Sequence, residues 1–203
     1  MKLILAILLL SIMQITNLFS EEYSKGKYYT TSEEKIEGLI SLERTRLSAI
    51  YFKPCLLKFK KDNESKIIKL DNLNISSFVI GNDSFAIVKN FKVTFHMGFL
   101  KGIFWGKCKK DFAKVIQEGK INIFDLSCEV FLGQYGYQDY SYFVLTKDNQ
   151  NFRTFDLKMD KEKEDLIDYF SNQDELKDII LKTPYKEINI IELVKLYNKK
   201  SNN

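Results

Sequence analysis

The chain reads as an α+β protein: a mainly antiparallel β-sheet, a meander of hairpins, followed by two or three short C-terminal α-helices. Three observations predict this. Apolar residues recur with a period near two from Tyr23 to about residue 158. Short clusters of Asp, Asn, Ser and Gly punctuate that stretch, as tight turns require. At Asp160 the apolar period lengthens to that of a helix, and strands first with helices afterwards is the α+β order.

The elements follow in order. Tyr23 to Thr31 carries the aromatic pair Tyr28-Tyr29 and reads as an opening strand. Ile36 to Phe52 favours strands through Ile36, Leu39-Ile40, Leu42, Leu47 and Ile50-Tyr51-Phe52. Cys55 to Leu70 is a hairpin, with Leu56-Leu57 and Phe59 on one side of Lys61-Asp62-Asn63-Glu64-Ser65 and Ile67-Ile68 and Leu70 on the other. Ile75 to Ile80 and Phe85 to Phe95 repeat the motif across Gly81-Asn82-Asp83-Ser84, where Gly and Asn tolerate positive φ. His96 to Lys110, with Gly98, Gly102 and Gly106 around Phe99, Ile103, Phe104 and Trp105, reads as a loop folded onto the core. Phe112 to Gln117 fits a strand better than a short helix, because Ile121, Ile123 and Leu126 continue a period of two. Val130-Phe131-Leu132 and Tyr142 to Leu145 flank a Gly/Tyr-rich connection, and Asp148 to Asn151 turns into Phe152, Thr154-Phe155 and Leu157.

Asp160 is a candidate N-cap for a first helix with Leu166, Ile167, Tyr169 and Phe170 on its apolar face. Asn172 and Glu175 have capping-box spacing ahead of Leu176 and Ile179-Ile180, and Pro184 stops that helix by Thr183. Asn189 and Glu192 repeat the spacing ahead of Ile190, Leu193-Val194 and Leu196-Tyr197.

Residues 1–20 carry an address. Lys2 precedes an apolar run from Leu3 to Met13 broken only by Ser11, and the run fades through Gln14, Thr16 and Asn17 to Ser20. A positive start, a short apolar centre and a small residue at the cut are the layout of a secretory signal peptide, although Leu18 is bulky for its place. Leu3 to Ile15 falls short of the roughly 20 residues a spanning helix needs. The expectation is export, to periplasm, cell surface or medium, with a single domain over 21–203 and no transmembrane span once the signal is removed; an uncleaved anchor is the alternative.

The composition excludes several classes. Sixteen Phe, eleven Tyr and only two Pro in 203 residues argue for an ordered core. The formal net charge is +4, or +3 without Lys2, and both signs mix along the chain, so no nucleic-acid footprint is present. Cys55, Cys108 and Cys128 match no zinc spacing; in an oxidising compartment two can pair in three ways, or all three can stay buried as thiols. No cofactor or metal site is expected.

Candidates for chemistry are few. His96 is the one histidine, so nucleophilic catalysis would run through it, with Cys108 the natural partner beside Lys107, Lys109 and Lys110. Glu33-Glu34, Asp125, Glu129, Asp139 and the helical Glu162, Glu164, Asp165 and Asp168 form no recognisable acid pair. Asp62-Asn63-Glu64 and Asp148-Asn149 lack calcium-loop spacing and read as turns. The binding candidate is Tyr135, Tyr137, Tyr140 and Tyr142, four rings within eight residues with Gly133 and Gly136 to bend the chain. Tyr offers a rigid amphipathic surface for sugars or proteins, and the competing account is cross-strand packing in a hairpin.

The Asp83-Ser84-Phe85 turn into a strand, the Gly119-Lys120-Ile121 step and the terminal Tyr197-Asn198 resemble a group of exported bacterial proteins, β-rich with C-terminal helices, over about residues 67–199. That resemblance implies location and shape and assigns no catalytic residue. The functional expectation is an exported, non-catalytic interaction protein, secreted or in the cell envelope, with a protein or glycan of that envelope as partner. The alternative is an exported hydrolase whose site forms only in three dimensions.

Overall fold

Alternating apolar positions lay down twelve strands among the described residues, and the computed structural model describes residues 22–48, 51–96, 103–131, 133, 136–155 and 161–201. The predicted signal peptide lies outside them. The strands are β1 (Ser24–Thr30), β2 (Lys35–Glu43), β3 (Thr45–Ser48), β4 (Tyr51–Lys53), β5 (Leu56–Lys60) and β6 (Ile68–Leu70). They continue with β7 (Ile75–Ile80), β8 (Asp83–His96), β9 (Ile103–Gln117), β10 (Asn122–Phe131), β11 (Tyr137–Thr146) and β12 (Arg153–Phe155). Three helices follow, α1 (Lys161–Tyr169), α2 (Asp174–Lys182) and α3 (Ile190–Lys200), with a 3-10 turn at Tyr185–Glu187. This is the predicted α+β order.

The sheet runs β12-β11-β10-β9-β8-β7-β1-β2-β5-β6, so the half from β7 to β12 is the expected meander and β1 is inserted between β7 and β2. Its pairings are antiparallel with one exception. β3 follows β2 after the single residue Arg44 and runs parallel to β10, with Thr45 opposite Cys128 and Leu47 opposite Val130. That pairing bends the sheet back on itself into a curled half-barrel.

One expected loop is a strand. Ile103 to Lys110 belongs to β9, which pairs with β8 from His96↔Ile103 to Phe85↔Lys114. The alternation there was hidden by Gly106, opposite Val93, and by a change of face. Ala86 and Val88 pack in one cluster before Asn90, and Phe91 and Val93 pack in the same cluster after it, so the inward parity flips. Asn90 carries the flip with φ 54°, a conformation Asn adopts more readily than most residues.

The buried residues form three clusters. Phe85, Ile87 and Phe112 face Tyr28, Ile40, Leu57, Phe59 and Phe78 of the β1–β2–β5–β7 half. Ala86, Val88 and Ala113, on the opposite face, meet Leu47, Leu126, Val130, Tyr142 and Val144. The third cluster lies under the helices, where Ile123, Leu145 and Phe155 of the sheet pack on Leu166, Phe170, Leu176, Ile180 and Val194. Strands β10 and β11 are therefore covered on both faces at this end, which accounts for the unbroken apolar run Tyr142 to Leu145.

The β1–β2 pair places Gly26 opposite Gly38. A Cβ on Gly38 would stand 2.4 Å from the Lys60 carbonyl oxygen and 2.5 Å from the Phe59 ring, and one on Gly26 would stand 2.4 Å from the Val79 carbonyl oxygen. Glycine here permits close approach of neighbouring strands in a strongly curled sheet.

The helix caps differ in part from expectation. Asn189 caps α3 as predicted, its side chain accepting from the Glu192 N–H at 3.2 Å. The α2 cap is Gln173 rather than Asn172, with no side-chain bond to the first turn. Asn172 instead donates its Nδ2 to the Tyr197 hydroxyl at 3.1 Å, a tertiary contact that removes it from capping. Asp160 lies outside the described residues.

Candidate functional site

Strand geometry divides the tyrosine segment. Successive side chains on β11 point to opposite faces. Tyr140 and Tyr142 share the face of Val144; Tyr142 is 1% exposed, and its ring stacks on Tyr140 with centroids 6.4 Å apart. Tyr142 is thus a core residue, which corrects its assignment to a contact surface, and Tyr140 is half-buried beside it. Tyr137 faces the other way and is 50% exposed. Tyr135 lies outside the described residues.

Around Tyr137 the sheet presents an uncovered face. Helices shield this side of β10 and β11 at Ile123, Phe143 and Leu145. Farther along the same side come Phe131 opposite Tyr137, Glu129 opposite Asp139 and Ser127 opposite Ser141. The Phe131 and Tyr137 rings lie 5.2 Å apart, and Phe131 is 39% exposed. Strand β3 adds Arg46, whose Nε donates to Glu129 Oε2 at 2.7 Å while its guanidinium lies 5.4 Å from the Tyr137 ring centroid. Arg44 donates to Asp139 Oδ1 at 2.8 Å, and Ser141 donates to Asp125. The result is a small platform: two aromatic rings flanked by guanidinium–carboxylate pairs that cancel one another's charge. Sequence reasoning found Tyr137 but missed Arg44 and Arg46, because the parallel β3–β10 pairing that brings them there spans more than 80 positions.

The ladder separates His96 from Cys108 along the backbone. His96 pairs with Ile103, five residues along the ladder from the Phe91–Cys108 pair, a separation of about 16 Å. Cys108 is fully buried, and burial together with the nearby Asp111 carboxylate pushes its thiol well above the ordinary range. The lysine neighbours do not activate it: Lys107 and Lys109 alternate to the exposed side of the strand. Cys55 is raised in the same way, first by burial and then by Asp111. All three cysteines are buried, and no disulfide joins them.

Asp111 is the residue that sequence reading missed outright. It is 0% exposed and accepts from Thr45 Oγ1 at 2.6 Å, from the Cys55 N–H at 3.1 Å and from the Phe112 N–H at 2.8 Å. It therefore ties β9 to β3 and to the start of β5. Burial raises its carboxyl above the usual value, and the hydrogen bonds oppose that shift without cancelling it. Nothing in Lys109-Lys110-Asp111 marks a buried position in the sequence, because the parity flip at Asn90 shows only in the folded strand.

Glu164, Asp165 and Asp168 are exposed on α1. Asp62 accepts from the Glu64 and Ser65 N–H groups at 3.1 and 2.8 Å, the expected turn. Among the described residues no group of three His, Cys, Asp or Glu side chains is placed to hold a metal ion, and no helix is long and apolar enough to cross a membrane.

Of the residues quoted for the resemblance, Gly119, Ile121 and Asn198 meet in space. Asn198 accepts from the Ile121 N–H at 2.8 Å and donates to the Ile121 carbonyl at 2.9 Å, with Gly119 directly beneath its amide. No protein-family model, curated protein or solved structure matches this chain.

Proposed function

We propose that this is an exported, non-catalytic binding protein of the cell envelope that holds a neutral glycan on the β3–β10–β11 face. The observation that carries the reading is the exposed Phe131–Tyr137 pair set among Arg44–Asp139 and Arg46–Glu129. The two ion pairs cancel one another's charge and Asp125 at the edge adds a carboxylate, so the platform does not select an anionic partner. Its aromatic faces suit the apolar side of a sugar ring, and its guanidinium and carboxylate edges offer donors and acceptors for hydroxyl groups.

Size favours a glycan over a protein. Three strands over five residues cover about 14 by 17 Å, roughly 240 Å². A standard protein interface takes about 800 Å² from each partner. Export is supported by the layout of residues 1–20, and mass spectrometry of the native N-terminus tests it, since a chain beginning at Met1 in the cytosol would refute it.

Binding is tested by titrating the mature protein with neutral oligosaccharides released from its own envelope. Tyr137→Ala and Phe131→Ala should each abolish retention with the fold intact. Undiminished retention by both variants would remove this face from the function.

A further inference from the structure

A second cleft lies at the other end of the β10–β11 hairpin, where the β11–β12 turn meets the end of α1. Lys147, Asp148, Asn151, Arg153, Asp168 and Tyr169 line a cleft of about 320 Å³, near the lower end of the range for small-molecule sites. Half of its polar side chains are already committed. Asp148 accepts from the Gln150 and Asn151 N–H groups at 2.9 and 2.8 Å and from Asn151 Nδ2 at 2.7 Å, and these bonds hold its carboxyl down at about 2. Lys147 Nζ donates to the Tyr169 carbonyl at 2.7 Å and lies 4.6 Å from that residue's ring centroid.

Three groups are not committed. The Arg153 guanidinium lies 5.8 Å from the Tyr169 ring centroid and makes no hydrogen bond or ion pair among the described residues. The Asp168 carboxylate is exposed at the rim. The Tyr169 hydroxyl has no hydrogen-bond partner among the described residues, although the residue is only 7% exposed. Phe155 and Phe170 enclose the ring edge-on at 5.7 and 5.4 Å. Tyr169 lines the cleft together with Arg153 and Asp148, and the Arg153 guanidinium stands over its ring. A buried hydroxyl without a partner costs about 1–3 kcal/mol, and such a group in a cleft is a donor without its acceptor.

We propose that this cleft binds a small zwitterion of the amino-acid class, its carboxylate on Arg153 and the Tyr169 hydroxyl and its ammonium on Asp168. The charge balance selects that class. Two cations and two carboxylates line the cleft, so a phosphate dianion would face Asp148 and Asp168 as well as Lys147 and Arg153. A planar carboxylate matches the guanidinium fork, and Asp168 supplies the counter-charge for an ammonium.

The test is calorimetric titration of the mature protein with L-alanine and L-leucine, with acetate as a carboxylate alone and inorganic phosphate as an anion control. Saturable millimolar or tighter binding of the zwitterions, with acetate weaker and phosphate silent, is the expected result. Arg153→Gln should weaken it about tenfold or more. Asp168→Asn should weaken the zwitterions and leave acetate unchanged. Tyr169→Phe supplies a readout that needs no ligand: it should stabilise the free protein by roughly fivefold or more in the unfolding equilibrium while weakening zwitterion binding. Lower stability of Tyr169→Phe would mean the hydroxyl already has a structural partner, and would overturn the proposal. Phosphate binding as tight as the zwitterions, or no binding by either amino acid, would overturn it as well.

Discussion

Replacing Asp111 probes the junction of β3, β5 and β9 at one atom pair. In Asp111→Ala the Thr45 hydroxyl and the Cys55 and Phe112 N–H groups lose their acceptor at once. Each donor left buried costs about 1–3 kcal/mol, and the Thr45 hydroxyl can rotate toward another acceptor, so two losses count, about 2–6 kcal/mol. Removing a desolvated carboxylate returns part of this, leaving a net loss of about 2–4 kcal/mol near neutral pH. Asp111→Asn keeps one acceptor oxygen and the shape, and isolates the charge. Because the folded-state value of Asp111 is raised, the folded protein holds its proton more tightly than the unfolded chain does. The associated stability is therefore complete below the ordinary carboxylate value and is lost as pH rises through the raised one. Urea unfolding of wild type and Asp111→Asn from pH 3 to 8 measures this directly. The wild-type advantage over the Asn variant should shrink with rising pH, at no more than about 1.4 kcal/mol per pH unit. A wild-type advantage that grows with pH would show that the ion is the favoured form and would refute the reasoning.

Phe78→Ala should cost about 3–5 kcal/mol in the same assay, since the ring is fully buried, stacked on Phe85 at 4.6 Å and edge-on to Phe112 at 5.0 Å. Asn198→Ala leaves both polar groups of Ile121 without their side-chain partner, and should lower stability by about 2–4 kcal/mol with α3 exchanging its amide hydrogens first. Gly119→Ala should reproduce that loss, because a Cβ there would stand 2.4 Å from Asn198 Nδ2; a double variant with Asn198→Ala should then cost less than the sum of the two. Asn189→Ala should cost about 0.5–2 kcal/mol, seen as a lower thermal midpoint, through loss of the cap on Glu192 N–H.

Most of the architecture was legible because its signals are local. The turns at Asp62–Ser65 and Asp148–Asn151 fold on their own side-chain hydrogen bonds, and the helices from residue 161 onward announce themselves by period and by Asn189. Ile103 to Lys110 was misread because strand identity there rests on pairing with β8 rather than on its own pattern, which Gly106 and the switch at Asn90 obscure. Asn172 failed as a cap for a related reason: Tyr197, 25 positions away, captures its side chain. The candidate site was half legible. Four tyrosines in eight residues marked the segment, but only strand parity separates Tyr137 from Tyr142, and only the β3–β10 pairing delivers Arg46.

Parity also explains why a single hairpin supports three environments. Even-numbered residues of β10 from Phe124 to Val130 enter the cluster shared with β8 and β9, along with Tyr142 and Val144 of β11. The odd-numbered ones meet the helices at Ile123 and Leu145 and then run out from under them. Beyond that limit the same face carries Ser127, Glu129, Ser141 and Asp139, polar residues that a covered face would not tolerate without partners. Phe131 and Tyr137 are the exception on that polar strip. An exposed aromatic pair contributes less to folding than a buried one, because much of its surface stays in water. Its cost in solubility without a matching gain in stability is the physical reason to place recognition at Tyr137, and to expect Tyr137→Ala to change binding while leaving the unfolding midpoint nearly where it was.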